Sequence, residues 1–274
     1  SATVREVEEE LGITVFMRNN RGITVTAEGE EFLGYAKQVV EQYHLLENRY
    51  LNVESKKKFS VSMQHYSFAV KAFVQLAKEV GMDEYEFAVH ETKTKEVIDN
   101  VKNLKSEIGV LYLSDFNEKV LRKLFKECDI EFKELFTCNT YVYLWKKHPL
   151  AGQKEITLDD LQEYPCLTFE QGVNNSFYYA EEMMSTYEYK RVIKADDRAT
   201  MLNLMVGLNG FTLCSGIISE DLNGDDYAAI PLKESEKMHI GYIKHKGTKL
   251  SKLGEIYIDA LKLSLIHISE PTRH

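Results

Sequence analysis

The sequence has no excess of basic charge, no paired cysteines and no long apolar run. Its 34 Lys and Arg residues stand against 43 Asp and Glu residues, which argues against a surface coated with basic groups but leaves room for a local basic patch. Cys128, Cys138, Cys166 and Cys214 form no C-x-x-C pair, so we expect reduced thiols and no metal site. We find neither a signal peptide nor the run of ~18 apolar residues that a membrane span requires. These absences predict a soluble, cytoplasmic protein without a membrane partner.

Motifs of covalent and nucleotide chemistry are also missing. The chain contains neither G-x-S-x-G nor G-x-x-x-x-G-K-[ST], and "GLNG" is too short for a dinucleotide fingerprint. Cys214 at a strand end is a candidate oxidant sensor, but a buried structural thiol is the favoured interpretation. We therefore predict a protein that is not an enzyme and needs no cofactor.

The first 26 residues have the outline of a winged helix. An opening helix ends at Gly12, a short strand around Ile13 to Val15 follows, and "RNNRG" is a turn before the second strand "ITVT". Thr26 can cap the next helix, whose first turn is rich in glutamate. We expect this helix to fill the segment 27–54 as a linker.

Apolar residues in this linker helix repeat at alternating spacings of four and three, as in a heptad seam. One alternative is an amphipathic helix packed on its own domain, but the short N-terminal segment offers little apolar surface to receive it. A helix–helix dimerisation seam is therefore favoured, made of Phe32, Ala36, Val39, Tyr43, Leu46 and Tyr50.

Strands and helices alternate over residues 55–263, which predicts an α/β fold with a parallel sheet covered on both faces. The pattern occurs twice and suggests two lobes, lobe I at about 58–137 and 240–263 and lobe II at about 138–239. A helix is expected over 176–186. Ligands of such folds bind beyond the carboxyl ends of strands, near helix N-termini.

Polar residues at four strand-to-helix turns are therefore candidate effector contacts. They are Ser62, Gln64, Tyr66 and Ser67 after the first strand, Thr92 and Thr94 after the second, and Thr168, Glu170, Arg198 and Thr200 in the second lobe, with a nest of amides at Gly172, Asn174 and Asn175. Arg198 favours a carboxylate or sulfur oxyanion, whereas Glu170 favours an amine-bearing ligand such as an amino acid.

Each of the main candidates has a structural alternative. Ser67 can act only as a helix N-cap, and His65 is more readily a packing or surface residue than a ligand contact. Arg198 can equally form a salt bridge with an acidic neighbour, for which the candidates are Asp196, Asp197 and Glu170.

Three stretches resemble LysR-type transcriptional regulators. They are "EEELGITVFMRNNRGITVTAEGEEFL", "KKHPLAGQKEITLDDLQEYPCLTF" and "MVGLNGFTLCSGIISED". The first is similar to the end of the family's DNA-binding domain and is specific; the others match its effector domain in the expected order. The resemblance implies a partial winged helix-turn-helix, a linker helix and a two-lobe effector domain with a periplasmic-binding-protein-like (type 2) fold.

The resemblance also implies partners and DNA contacts. The partners are double-stranded DNA, a second copy in a dimer or tetramer, and a small-molecule effector, with amino acids and small carboxylates as candidates. The DNA-contacting residues implied are Ser1, Arg5, Arg18 and Arg21, with arginines on phosphates. An alternative function is a solute-binding protein of the same fold.

The resemblance raises expectations about both ends of the chain. The start of the recognition helix, which reads bases in helix-turn-helix proteins, is expected upstream of Ser1, so we expect the sequence given not to bind an operator specifically. Residues 264–274 break the pattern of the last helix and are expected to be a non-native tail; the alternative is a natural disordered tail.

Overall fold

The computed structural model describes residues 2–19, 22–50, 56–81, 84–173 and 176–266, without the side chains of residues 18, 19, 41, 45, 48–50, 220, 221, 265 and 266. The chain forms two compact units, an N-terminal unit, Ser1–Lys56, and a C-terminal unit, Lys57–His274. No helix among the described residues has the length and apolarity needed to cross a membrane.

The N-terminal unit contains two helices and a hairpin. Helix α1 (Ala2–Leu11) precedes strands β1 (Phe16–Asn19) and β2 (Gly22–Val25), which pair antiparallel, and helix α2 covers Ala27–Tyr50. The predicted Thr26 cap is confirmed, because its hydroxyl accepts a hydrogen bond of 2.8 Å from the Gly29 N–H.

The first strand begins later than we expected. Glu8 accepts hydrogen bonds from the N–H groups of Val15 and Phe16, at 2.6 and 3.0 Å. Residues 13–15 therefore dock on α1 instead of pairing in the hairpin. As a consequence Arg18 lies within β1 opposite Ile23, whereas the sequence placed it in the turn; Arg21 lies outside the described residues.

A five-stranded sheet with the order β4-β3-β5-β12-β6 forms the larger part of the C-terminal unit. We predicted a parallel sheet, but it is mixed: β3 pairs parallel with β4 and β5, whereas β12 is antiparallel to β5 and β6. The strands are β3 (Lys57–Met63), β4 (Tyr85–Glu91), β5 (Ile108–Leu113), β6 (Ile130–Cys138) and β12 (Met238–His245), and the accompanying helices are α3 (Ser67–Val80), α4 (Thr94–Lys102), α5 (Glu118–Glu127) and α8 (Lys252–Ile266).

Two smaller sheets occupy the chain between β6 and β12. Strands β10, β7 and β11 form an antiparallel sheet in that order, and β8 and β9 pair parallel. An isolated parallel bridge joins Cys166 of the two-stranded sheet to Phe211, which directly precedes β10 of the three-stranded sheet. The elements are β7 (Tyr141–Trp145), β8 (Cys166–Phe169), β9 (Val192–Ala195), α6 (Arg198–Leu208), β10 (Thr212–Cys214), α7 (Glu220–Asn223) and β11 (Tyr227–Pro231).

The expected helix over 176–186 is absent, and this prediction was wrong. Only a 3₁₀ turn, Phe177–Tyr179, forms there. The Tyr112 hydroxyl donates to the carbonyl oxygens of Ala180 and Glu182 at 3.0 and 3.3 Å. Glu181 and Glu182 are both buried, and successive residues of a helix point about 100° apart, so an irregular backbone suits the burial of both acids better.

The last helix continues into the segment that we expected to be a non-native tail. Helix α8 ends at Ile266, and Ser264 is buried with its hydroxyl donating to the Leu261 carbonyl at 2.8 Å. Residues 267–274 lie outside the described part of the chain.

Candidate functional site

A cavity of about 90 Å³ lies within the C-terminal unit, between the N-terminus of α3, the segment after β8, helix α6 and the segment after β10. This volume is several times the about 10–15 Å³ that one water needs. One wall is apolar and contains Met201, Leu202, Met205, Leu213, Ile217 and Ile218; polar side chains that line the rest include His65, Tyr66, Ser67, Glu181, Glu182, Arg198, Tyr143 and Thr212.

His65 connects the turn between β3 and α3 to the segment that follows β8. Its ring stacks on Phe169 with the ring centres 3.6 Å apart and the planes within 4°. The ring Nδ1 lies 2.8 Å from Glu181 Oε2, and the His65 backbone N–H donates to the same oxygen at 3.0 Å. His65 is therefore packed, in agreement with the favoured interpretation, and it is also part of the cavity wall.

Two consecutive buried carboxyl groups form the acidic part of the wall. Gln171 donates from Nε2 to Glu181 Oε1 at 3.0 Å, and the Phe169 N–H donates to Glu182 Oε1 at 2.9 Å. Burial, and to a smaller extent the charge of the adjacent Glu181 side chain, raise the pKa of Glu182 to about 8. The sequence did not indicate either acid as a site residue. In the expected helix, the segment "EEMM" would divide its side chains between an exposed face and a buried face.

Two hydroxyl groups on the wall have no hydrogen-bond partner. Thr212 Oγ1 and Tyr143 OH are buried and unpaired. Burial raises the pKa of the Tyr143 phenol, and the neighbouring Asn223 side chain lowers it by a smaller amount. Because native proteins seldom leave buried polar atoms unpaired, these two groups indicate where water or a ligand binds.

Three of the predicted effector contacts line the cavity: Tyr66, Ser67 and Arg198. Tyr66 donates to Gln64 Oε1 at 3.0 Å. Ser67 is not an N-cap, because it is the first residue of α3, and its hydroxyl accepts from the Ser219 N–H at 3.3 Å. Arg198 forms its ion pair with Glu91, which was none of the acids that the sequence suggested.

Ser62, Gln64 and Thr94 are buried and do not line the cavity. Gln64 donates to Thr94 Oγ1 at 2.5 Å and accepts from the Tyr112 N–H, and Ser62 bonds Ser106 at 2.8 Å. These polar groups pair with one another because unpaired groups in a buried sheet are costly. They support the turn that carries His65 and Tyr66.

Four other candidates also lie outside the cavity wall. Thr92 bonds Glu96, Thr200 bonds Asp197 at 2.7 Å, and Glu170 accepts from the Gly172 N–H at 2.9 Å. Thr168 lies in β8. Their role as effector contacts, like that of Gln64, stays a prediction; Asn174 and Asn175 lie outside the described residues.

The candidate DNA and dimerisation residues belong to the N-terminal unit. Arg5 is exposed on α1, the Arg18 side chain is not described, and Ser1 and Arg21 are outside the described residues. On α2, Phe32 and Ala36 are half-buried. Val39, Tyr43 and Leu46 are 69%, 58% and 58% exposed, whereas the Tyr50 side chain is not described.

Residues 82–264 match the family model described as "LysR substrate binding domain". The chain belongs to this LysR family. A curated LysR relative is the transcriptional dual regulator GltC of Bacillus subtilis (strain 168), 29% identical over 182 residues, 63% of this chain and 55% of GltC. The chain thus spans about half the length of this relative.

Two solved structures share the LysR fold with this chain. A full-length OxyR variant from Pseudomonas aeruginosa is 16% identical with a TM-score of 0.69, over 96% of this chain and 84% of that one. The effector-binding domain of QuiR in complex with shikimate is 18% identical with a TM-score of 0.51, over 78% of this chain and 99% of that one. The α/β, periplasmic-binding-protein-like fold that we predicted is confirmed.

Proposed function

We propose that this protein is a LysR-type transcriptional regulator that binds double-stranded DNA and is controlled by a small molecule held in the cavity of its C-terminal unit. The observation that carries the proposal is the cavity itself. It combines an apolar wall, a buried acidic side and two unpaired hydroxyls, Tyr143 OH and Thr212 Oγ1. Such a combination is typical of ligand pockets in proteins.

The position of the cavity agrees with control by a ligand. It is lined both by the turn that follows β3 of the five-stranded sheet and by α6 and β10 of the smaller sheets. The chain passes between these two groups of strands twice, between Cys138 and Tyr141 and between Pro231 and Met238. We assign residues 58–137 and 240–263 to one lobe and 138–239 to the other, so that a ligand touching both shifts their arrangement.

The N-terminal unit supplies the DNA head and the dimer contact in this proposal. Arg5 is exposed on α1 and available to a phosphate. Helix α2 exposes an apolar row at Val39, Tyr43 and Leu46, which suits a second copy of the same helix. We assign residues 1–26 to the winged helix-turn-helix and 27–54 to the dimerisation linker, in a cytoplasmic homodimer.

The test is a thermal-shift screen of the full chain with amino acids and small carboxylates, the two classes considered for the effector. A hit is expected to raise the melting temperature of the wild type and of Val206→Trp, but not of Leu202→Trp. Leu202 lines the cavity, whereas Val206 is exposed on the same helix away from it. A hit that stabilises Leu202→Trp as much as the wild type would show that the effector binds elsewhere.

A further inference from the structure

The effector cavity is lined by two acidic and two basic side chains. The acids are Glu181 and Glu182, and the basic side chains are His65 and Arg198. His65 contacts Glu181 and Arg198 pairs with Glu91, so among the described residues Glu182 is the lining acid without a basic partner. In this part of the chain, no basic side chain lies within ion-pair distance of Glu182. The Glu182 carboxyl accepts a hydrogen bond from the Phe169 N–H.

We propose that the cavity binds a small organic amine, with its protonated amino group between Glu182 and the hydroxyls of Thr212 and Tyr143, and its apolar part against the methionines of α6. This assignment rests on the proposed function, because it concerns the same cavity. An ammonium group donates three hydrogen bonds, and a carboxylate and two hydroxyls are all able to accept them.

The unpaired hydroxyls are the second, independent observation for this ligand class. Thr212 is 7% and Tyr143 8% exposed, and neither oxygen has a partner. A buried carboxyl can become neutral by taking up a proton and then needs no cation. The two hydroxyl oxygens, in contrast, need a hydrogen-bond partner inside the cavity. The apolar wall with Met201, Met205 and Leu213 suits an aliphatic body and excludes a compact inorganic cation.

An anionic ligand fits less well. A carboxylate beside Glu182 keeps that carboxyl in its neutral form and gains no opposite charge there. Arg198 could receive an anion only by giving up Glu91. The geometry therefore favours the amine over the small carboxylates.

Binding should release a proton. Burial raises the pKa of Glu182 to about 8, so much of this carboxyl is protonated at pH 7, and an ammonium beside it favours the ionised form. The proton passes to the buffer while no covalent bond in the ligand changes. The other titratable groups that interact with Glu182 are the Glu181 carboxyl, the phenols of Tyr66, Tyr112 and Tyr189, and the thiol of Cys166. Burial raises the pKa of these three phenols and of this thiol.

The experiment is isothermal titration of the full chain with four probes of similar shape: 3-methylbutylamine, 4-methylpentanoate, 3-methylbutan-1-ol and leucine. The amine is expected to bind at least ten times more tightly than the carboxylate and the alcohol. Repeating the titration in phosphate and in Tris, which differ in ionisation enthalpy, should show close to one proton released per amine at pH 7.

Variants connect the binding to the named atoms. Glu182→Gln keeps an acceptor for the Phe169 N–H and should weaken the amine by about 10- to 100-fold, the usual value of a hydrogen bond to a charged group, and abolish proton release. Thr212→Val should weaken it by a smaller factor. Ser219→Ala is the matched control, because the Ser219 hydroxyl is also buried and unpaired but does not line the cavity; it should bind like the wild type.

The outcomes separate the ligand class from the proposed function. Tighter binding of the carboxylate or the alcohol, or no binding of the amine, overturns the amine assignment. If a carboxylate binds and Leu202→Trp abolishes that binding, the cavity is still the effector site. If the amine binds Leu202→Trp as tightly as the wild type, the amine does not bind in this cavity, and both the amine assignment and the cavity as effector site are overturned.

Discussion

Replacing Glu182 by glutamine should make the C-terminal unit less sensitive to rising pH. Burial and the adjacent Glu181 raise the Glu182 pKa to about 8 in the folded protein, against an ordinary value of 4.5. A carboxyl with a raised folded-state pKa contributes its stability fully below the unfolded pKa and loses it as the pH rises through the folded pKa. The free energy of unfolding of the wild type therefore falls as the pH rises from about 4.5 to about 8.

The size of the effect follows from the two pKa values. At about 1.4 kcal/mol per pH unit, ionising this group in the unfolded state alone lowers the free energy of unfolding by about 2–3 kcal/mol between pH 5 and 7. Glutamine carries no proton to lose and still accepts from the Phe169 N–H. The difference in unfolding free energy between Glu182→Gln and the wild type should thus grow by about this amount over that interval.

Urea unfolding followed by Trp145 fluorescence measures this difference. Trp145 is the single tryptophan and lies in β7 of the C-terminal unit, so its emission reports on the unit that contains Glu182. Glu170→Gln is the matched control from the same segment. The Gly172 N–H lowers the pKa of Glu170 below 4.5, so the difference in unfolding free energy between this variant and the wild type should stay nearly constant between pH 5 and 7. If the free energies of unfolding of Glu182→Gln and the wild type change in parallel with pH, the raised pKa of Glu182 is refuted.

Two further predictions concern α2 and α6. Val39→Glu places a charge in the apolar row of α2 and should convert a dimer into a monomer, whereas Gln38→Glu, on the neighbouring face, should not. Light scattering measures the molar mass of each variant, and equal masses for the two would exclude this row as the dimer contact. Asp197→Ala removes the side chain that accepts from the Thr200 N–H at 2.9 Å and should lower the melting temperature by a few degrees. Because that hydrogen bond lowers the Asp197 pKa, the difference should disappear as the pH falls through the lowered pKa, and a difference that persists in acid would contradict it.

Much of the fold follows from local sequence patterns. The alternation of strands and helices, the Thr26 cap and the helix beginning near Asp197 depend on neighbouring residues and agree with the structure. The antiparallel pairing of β12 with β5 and β6 does not follow from local patterns. It depends on where the chain returns to the five-stranded sheet after it has formed the smaller sheets. The strand at residues 16–19 was displaced for a similar reason, since Glu8 binds residues that looked like the strand.

The candidate site was harder to predict than the fold. Tyr66, Ser67 and Arg198 were found because strand-to-helix turns predict ligand contacts, and all three line the cavity. Glu181 and Glu182 were missed because their burial arises from the hydroxyl of Tyr112, which is distant in sequence and holds their backbone out of a helix. Gln64 had the expected position in sequence, but its side chain is taken up by Thr94 and Tyr112.

A crystal structure of the full chain with a ligand found in the screen would show whether the cavity is the effector site. We expect electron density between α6 and the β3–α3 turn, with ligand atoms within 3.5 Å of Thr212 Oγ1 and Tyr143 OH. Density at the outer turns, beside Thr92 or Thr200, with the cavity unchanged, would contradict this expectation.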